Sequence, residues 1–243
     1  MRRLVSLQIM NNKILLILPT YNEVENIDCL KERLRDFNFL DLLFIDDNST
    51  DGTKEKLYKW KAEDNRVYIM ERPEKLGLGT AYVEGFKWGL KKGYEYFFEM
   101  DADLSHNPED IPRFIEKIKE GYDLVIGSRY LNGTISVVGW DFKRLLLSKF
   151  ANWYATTILG VKFLTDVTSG FRCYARKCLT SINLDNIKSN GYAFQIEMVY
   201  KLYKKGLRIT EIPIVFYERQ GGSSKMSRKI ALEAAVMVWK LRL

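Results

Sequence analysis

Cysteine is scarce in this chain. Cys29, Cys173 and Cys178 are odd in number and carry no metal-ligand spacing. That leaves no disulfide framework and points to a reducing compartment. Proline is scarce too, with five in 243 residues, and no low-complexity tract accompanies them, which argues against disorder. Long apolar runs are missing. The cleanest are ILLIL (Ile14–Leu18) and AAVMVW (Ala234–Trp239), against roughly 18–20 residues for a bilayer span. The first residues, MRRLVSLQIMNNK, start basic, but Ser6 and Gln8 break their apolar stretch, so no secretory signal is evident. No repeat of solenoid period occurs. Two nucleotide motifs are also lacking. GLGTAY (Gly77–Tyr82) has no third glycine at dinucleotide spacing and follows no strand, so it reads as a tightly packed helix start. No P-loop is present. The triplets at Asn48 and Asn132 fit N-glycosylation, but the first lies in a loop expected at the site, and both are read as unused.

Charge of one sign is in modest excess, +7. This admits an anionic membrane surface or a phosphorylated ligand. The cations are dispersed, with no basic helix, zinc pattern or stacking motif, so nucleic acid is not an expected partner.

What the first half does contain is alternation. Apolar strands at Lys13–Pro19, Leu42–Asp47, Arg66–Arg72, Tyr94–Asp101 and Tyr122–Arg129 are separated by helical segments. Asn22 and Glu25 are spaced like a capping box for the first helix. Short links between strand and helix predict an α/β fold with a mostly parallel central sheet and helices on both faces. The whole of residues 1–243 is read as one domain, with an apolar helix with basic ends at about 226–243. Before it come a greasy helical stretch at Trp140–Phe163, a helix from Gly191, a strand in LRITEIPIVFYE and a loop RQGGSSKMSRK.

Ligands of parallel sheets bind beyond the carboxyl ends of the strands. Those ends carry PTYNE (Pro19–Glu23), DDNSTDGT (Asp46–Thr53), DADLS (Asp101–Ser105) and SRY (Ser128–Tyr130). Two aspartates one residue apart repel, and burial makes their charge costly. They fit a divalent cation, Mg2+ or Mn2+, shared with phosphate oxygens. The competing reading is a cap on the helix that follows.

PTYNE, IDDNSTDGT, KLGLGTAY, MDADLSH, GSRY, GWDFKRLLLS, DVTSGFRCY, YAFQIEM and ER…SSK resemble, in order and spacing, the dolichol-phosphate mannose synthases. These are family 2 glycosyltransferases with the GT-A nucleotide-sugar-binding fold. The resemblance runs from about Lys13 to Lys229. It implies that Pro19, Tyr21, Glu23, Ile45 and Asp47 hold the guanosine of GDP-mannose. Asp101, Ala102 and Asp103 would hold the diphosphate and metal, with Ser105 as a further metal contact. Arg129 would touch the donor, and Arg219 and Lys225 would clamp its phosphates. Arg144 and Ser148 would bind the phosphate of dolichyl phosphate, and Leu145–Leu147, Phe150 and Trp153 its lipid tail. Gln195 and Glu197 are acceptor-side candidates, with a structural salt bridge as the other reading of Glu197. Ser223 stands where some relatives carry glutamate, and no C-terminal transmembrane helix follows.

The implied reaction is inverting transfer of mannose to dolichyl phosphate, with Asp101, Asp103 and Arg144 as its central residues. The alternative is a polyprenyl-phosphate glucosyltransferase, or a transferase of another nucleotide sugar. A non-catalytic nucleotide-sensing subunit would not need both aspartates. A peripheral protein at a membrane surface is expected, either alone or on small membrane-anchoring subunits. The resemblance places it on the cytosolic face of the endoplasmic reticulum in a eukaryote and in the cytoplasm, membrane-associated, otherwise.

Overall fold

The computed structural model describes residues 13–218 and 228–242, with the backbone alone over 228–234. Alternation in β1 (Ile14–Thr20) sends Ile14, Leu16 and Leu18 to one core and Leu15 and Ile17 to the other. This is the period of two expected of a strand buried on both faces. The same double burial holds for β2 (Leu40–Asp46), β4 (Tyr96–Glu99) and β5 (Leu124–Ser128), while β3 (Val67–Glu71) lies at an edge.

The seven-stranded sheet runs in the order β3-β2-β1-β4-β7-β5-β8. Here β7 is Arg172–Ala175 and β8 is Ile209–Pro213. All neighbours pair in parallel except β7, which is antiparallel to both β4 and β5. That insertion was not expected from the alternation, because RCYA is too short to show a period. The expected strand in LRITEIPIVFYE splits. After β8 the chain leaves the sheet, and β9 (Phe216–Tyr217) pairs with β6 (Val137–Val138) in a second, two-stranded sheet.

Helices cover both faces. On one face lie α1 (Val24–Leu34), α2 (Thr53–Glu63) and α4 (Ile111–Lys119), through Ile27, Trp60 and Phe114. On the other lie α3 (Leu78–Lys92), α5 (Phe142–Leu159), α7 (Gly191–Lys204) and α8 (Arg228–Arg242), through Phe86, Leu159, Phe194 and Val238. The short α6 (Arg176–Thr180) follows β7. Two glycines set how closely α3 packs. A Cβ at Gly89 would lie 2.5 Å from the Phe97 ring, and one at Gly79 would lie 2.5 Å from the Ser189 carbonyl. GLGTAY is therefore the tight helix start that its sequence suggested.

The capping box is a correction. Helix α1 starts at Val24, and Asn22 is in the left-handed region with φ 56°. Its side chain accepts from the Thr50 N–H instead, which ties the loop after β1 to the loop after β2. Helix α5 is capped by the Asp141 side chain and stopped by Gly160 at φ 73°. Among the described residues, no helix is long and apolar enough to cross a membrane.

Candidate active site

From β1 the sheet builds outward in two directions, through β2 to β3 and through β4 to the rest. The connection order reverses there, which opens a crevice at the carboxyl ends of β1 and β4. Into that crevice run Thr20–Glu23 and Met100–Asp103. The Met100 N–H donates to the Ile17 carbonyl, so the chain stays beside β1 until Asp101.

Asp103 is buried, whereas the Asp101 side chain is 30% exposed. The Ser105 N–H donates to Asp103 Oδ1 at 3.1 Å. Leu104 between them has φ 64°, a strained conformation for a bulky side chain. Neither aspartate caps the next helix. Asn107 does that, its side chain accepting from the Glu109 N–H at 3.2 Å. Ala102 is buried in the same turn. Ser105 is wholly buried, with no hydrogen-bond partner at Oγ among the described residues, and so lies below the accessible rim. Behind the turn, the His106 ring is enclosed, and Nε2 lies 3.8 Å from Asp101 Oδ2. Burial lowers its pKa to about 4, the Arg129 charge acting the same way and Asp103 and Asp166 opposing, so the ring is neutral near pH 7.

The donor-side expectations divide. Tyr21 is exposed with the Lys75 ammonium 4.0 Å over its ring, and Pro19 and Glu23 are half-buried at the rim. The Asn26 side chain donates to Glu23 Oε2 at 2.7 Å. Ile45 is wholly buried against α3, so it shapes the floor of the crevice without lining it. Asp47 accepts from Arg72 Nε at 2.6 Å. Burial raises its pKa, against the pull of that guanidinium. Arg72 also donates to Thr80 Oγ1 and the Gly77 carbonyl, locking the GLGTAY turn to the rim. Sequence reasoning missed Arg72, although its place at the end of β3 was the available signal. The neighbouring Asp46 is structural. It accepts from Thr20 Oγ1 and from the Ser49 N–H and hydroxyl, stitching β1 to β2.

Arg129 is committed to a buried partner. Its Nε and Nη2 donate to the two Asp166 oxygens at 2.6 and 2.7 Å, and Nη2 also reaches Thr168. Burial alone would raise the Asp166 pKa, but Arg129 holds it below the usual range. Aromatic rings of Tyr130, Trp140 and Phe216 surround the guanidinium at 5.2–5.6 Å. Arg129 therefore supports the wall of the site, and its reach to a donor is through that wall.

Arg144 and Ser148 share a face of α5. Arg144 Nη1 donates to Glu218 Oε1 at 2.7 Å and its guanidinium lies 4.2 Å from the Trp140 ring centre. Ser148 Oγ accepts from the Tyr130 hydroxyl. Along the outer side of α5, Phe142, Leu146, Leu147, Phe150 and Trp153 are exposed, with Phe142 75% accessible. Leu145 is half-buried. Gln195 and Glu197 do not face this surface. Gln195 is buried on Glu99, and Glu197 pairs with Lys201 and the Ser189 N–H, the structural reading. Arg219, Ser223 and Lys225 lie outside the described residues.

Among the described residues, no three His, Cys, Asp or Glu side chains converge as a metal cage. The hard oxygen donors of Asp101 and Asp103 suit a Mg2+ or Mn2+ ion that takes its remaining ligands from phosphate and water. The donor set thus fits the expected ion without an all-protein cage.

Residues 15–180 match the family described as glycosyl transferase family 2. An undecaprenyl-phosphate mannosyltransferase of Micrococcus luteus is 45% identical over 93% of this chain and 92% of its own length. A polyprenol monophosphomannose synthase of Mycolicibacterium smegmatis is 43% identical over 94% of this chain and 87% of its own length. In fold, the chain is similar to the glucosyl-3-phosphoglycerate synthase of Mycobacterium tuberculosis, solved with Mn2+ and uridine-diphosphate-glucose. That likeness has a TM-score of 0.73 at 16% identity, over 99% of this chain and 83% of the other. It bears out the α/β, GT-A fold with its mostly parallel sheet. A match across the strands that build the rim, and relatives this similar along nearly their whole length, make the chain a member of glycosyl transferase family 2.

Proposed function

We propose that the chain transfers mannose from GDP-mannose to a polyprenyl phosphate, releasing GDP and inverting the sugar. One juxtaposition carries this reading. The Asp101–Asp103 pair at the topological crevice is joined, through His106, Phe216 and Trp140, to Arg144 at the head of an exposed apolar stripe. A charged diphosphate site and a lipid-compatible surface then meet at one end of α5. Relatives named for mannosyl transfer to undecaprenyl phosphate and polyprenol support the sugar and the acceptor class. Dolichyl phosphate is one member of that class.

The nucleotide lies on the rim between Tyr21–Glu23 and Asp47, with its diphosphate toward Asp101 and Asp103. A bound Mg2+ or Mn2+ ion would neutralise charge on the departing diphosphate. Arg144 and Ser148 hold the acceptor phosphate, which replaces Glu218 on the Arg144 guanidinium. A phosphate monoester has its second pKa at about 6 and is a dianion at neutral pH. Its oxygen is therefore nucleophilic without a strong general base. Alignment at the sugar carbon and screening by Arg144 supply what the step needs. Arg219 and Lys225 remain proposed clamps on the donor phosphates. The chain acts as one transferase unit at the cytoplasmic side of a membrane, and Val236 and Trp239, exposed on α8, offer a surface for lipid or a small membrane subunit.

The test is transfer of labelled mannose from GDP-mannose to undecaprenyl phosphate in detergent, with Mn2+ or Mg2+. Label should enter the lipid phase and fall by at least about a hundredfold in Asp103→Ala. No label from GDP-mannose, with label from UDP-glucose, would replace the sugar assignment. No transfer from either would reject the transferase reading.

A further inference from the structure

His106 is the sole histidine of the chain and is 2% exposed. Its ring is gripped on two sides, with the Phe171 and Phe216 ring centres each 5.2 Å away. Neither Nδ1 nor Nε2 has a hydrogen-bond partner among the described residues. A buried polar group in that state is unfavourable, and a phenyl ring would fill the same cage without the penalty. The imidazole is therefore poor packing for its place unless it makes a bond in another state of the site.

Asp101 is the group able to supply that bond. Its Oδ2 lies 3.8 Å from Nε2, just beyond hydrogen-bond length. The histidine is enclosed, whereas the Asp101 side chain is 30% exposed, and Oδ2 has only about 1 Å to travel to come within bonding length of Nε2. A neutral imidazole donates from one nitrogen only, and a carboxylate can only accept, so Nε2 must carry the hydrogen.

Resting on the donor-site reading above, we propose that His106 is a positioning residue for Asp101. With a divalent cation and a nucleoside diphosphate at the rim, Nε2–H would donate to Asp101 Oδ2 and fix the orientation of that carboxylate. Histidine and carboxylate pairs of this kind, behind a metal, orient the ligand and tune its affinity. Here the usual order is reversed, with the carboxylate in front and the imidazole behind. The Ser105 N–H holds one oxygen of the neighbouring Asp103.

The experiment compares native protein with His106→Phe and His106→Gln. Phenylalanine keeps the aromatic packing and removes the donor. Glutamine places an N–H near the position of Nε2. Mn2+ affinity is read from the electron paramagnetic resonance of free Mn2+ in saturating GDP, with melting temperature as the control for folding. The Phe variant should melt no lower than native and bind Mn2+ at least about tenfold more weakly, while the Gln variant stays close to native. Native-like Mn2+ binding by the Phe variant, or equal weakening in both, overturns the proposal. Because the chain has one histidine, native protein labelled with 15N-histidine gives an independent reading. The Nε2 resonance should shift on adding Mg2+ and GDP, and an unmoved pair of ring nitrogens rejects the role even if a variant fails to fold. If native protein binds no Mn2+ with GDP or UDP, the donor-site reading falls and takes this proposal with it. If native binds and both variants match it, this proposal alone falls.

Discussion

Glu99 ends β4 two positions before Asp101 and is wholly buried. Burial pushes its pKa up to about 7, although the Arg172 charge and a hydrogen bond from Gln195 pull it back. In the unfolded chain a glutamate titrates near pH 4.3. Between about 4.3 and 7 the unfolded chain has lost this proton while the folded one keeps it, so stability falls as pH rises through that window and levels off above it. The full contribution is on the order of 3 kcal/mol. Urea unfolding of native protein and Glu99→Gln at pH 5 and pH 8 checks this. Native stability should drop relative to the variant by a few kcal/mol, and parallel behaviour of the two would contradict it. This buried group was not legible in the sequence, where YEYFFEMD reads as an apolar run with incidental acids. Arg129 was legible as a strand-end residue. Its partner Asp166 was not, because the pair forms across 37 residues and only the folded chain brings them together. Asp101 and Asp103 were legible as a carboxylate pair at a strand end, with a helix cap as the competing reading, and Asn107 fills that cap instead.

At the scale of elements, α5 has an unusual division. It buries Asn152, Ala155, Thr156 and Leu159 against the domain and leaves Phe142, Leu146, Phe150 and Trp153 outside. Helices of a water-exposed domain normally do the reverse. Phe150 lies between Trp153 and Tyr154, and the Tyr154 hydroxyl bonds to the Ala235 carbonyl, so the stripe leads onto α8 with its exposed Val236 and Trp239. A Phe150→Ser, Trp153→Ser variant should keep stability within about 0.5 kcal/mol of native, because both side chains are exposed. It should lose sedimentation with anionic vesicles and use of a long-chain polyprenyl phosphate, yet still accept a short, water-soluble one. Equal activity on both acceptors, with vesicle binding intact, would remove the stripe from the account. The element order up to β5 was readable because apolar runs alternate regularly with helical segments there. Antiparallel β7 and the split between β8 and β9 were not, because they fall after that alternation ends and are short. The start of α1 was misread since Asn22 serves a loop-to-loop bond that no local pattern announces.

For the whole molecule, the strand order puts the switch point between β1 and β4, and the loops that follow β1, β2 and β4 carry polar residues at that end of the sheet. A net charge of +7 suits both an anionic donor and an anionic membrane. The sheet holds Asp101 and Asp103 beside the loops after β1 and β2, while α5 carries Arg144 and the apolar stripe along one flank. The central claim is that this rim is a metal-dependent nucleoside-diphosphate site. Calorimetric titration of GDP into native protein, with Mn2+ and then with chelator, tests it most directly, alongside an Asp101→Asn, Asp103→Asn variant. Binding that requires Mn2+ and disappears in the variant is the predicted result. GDP binding that is unchanged by chelator and by the double substitution would contradict the account.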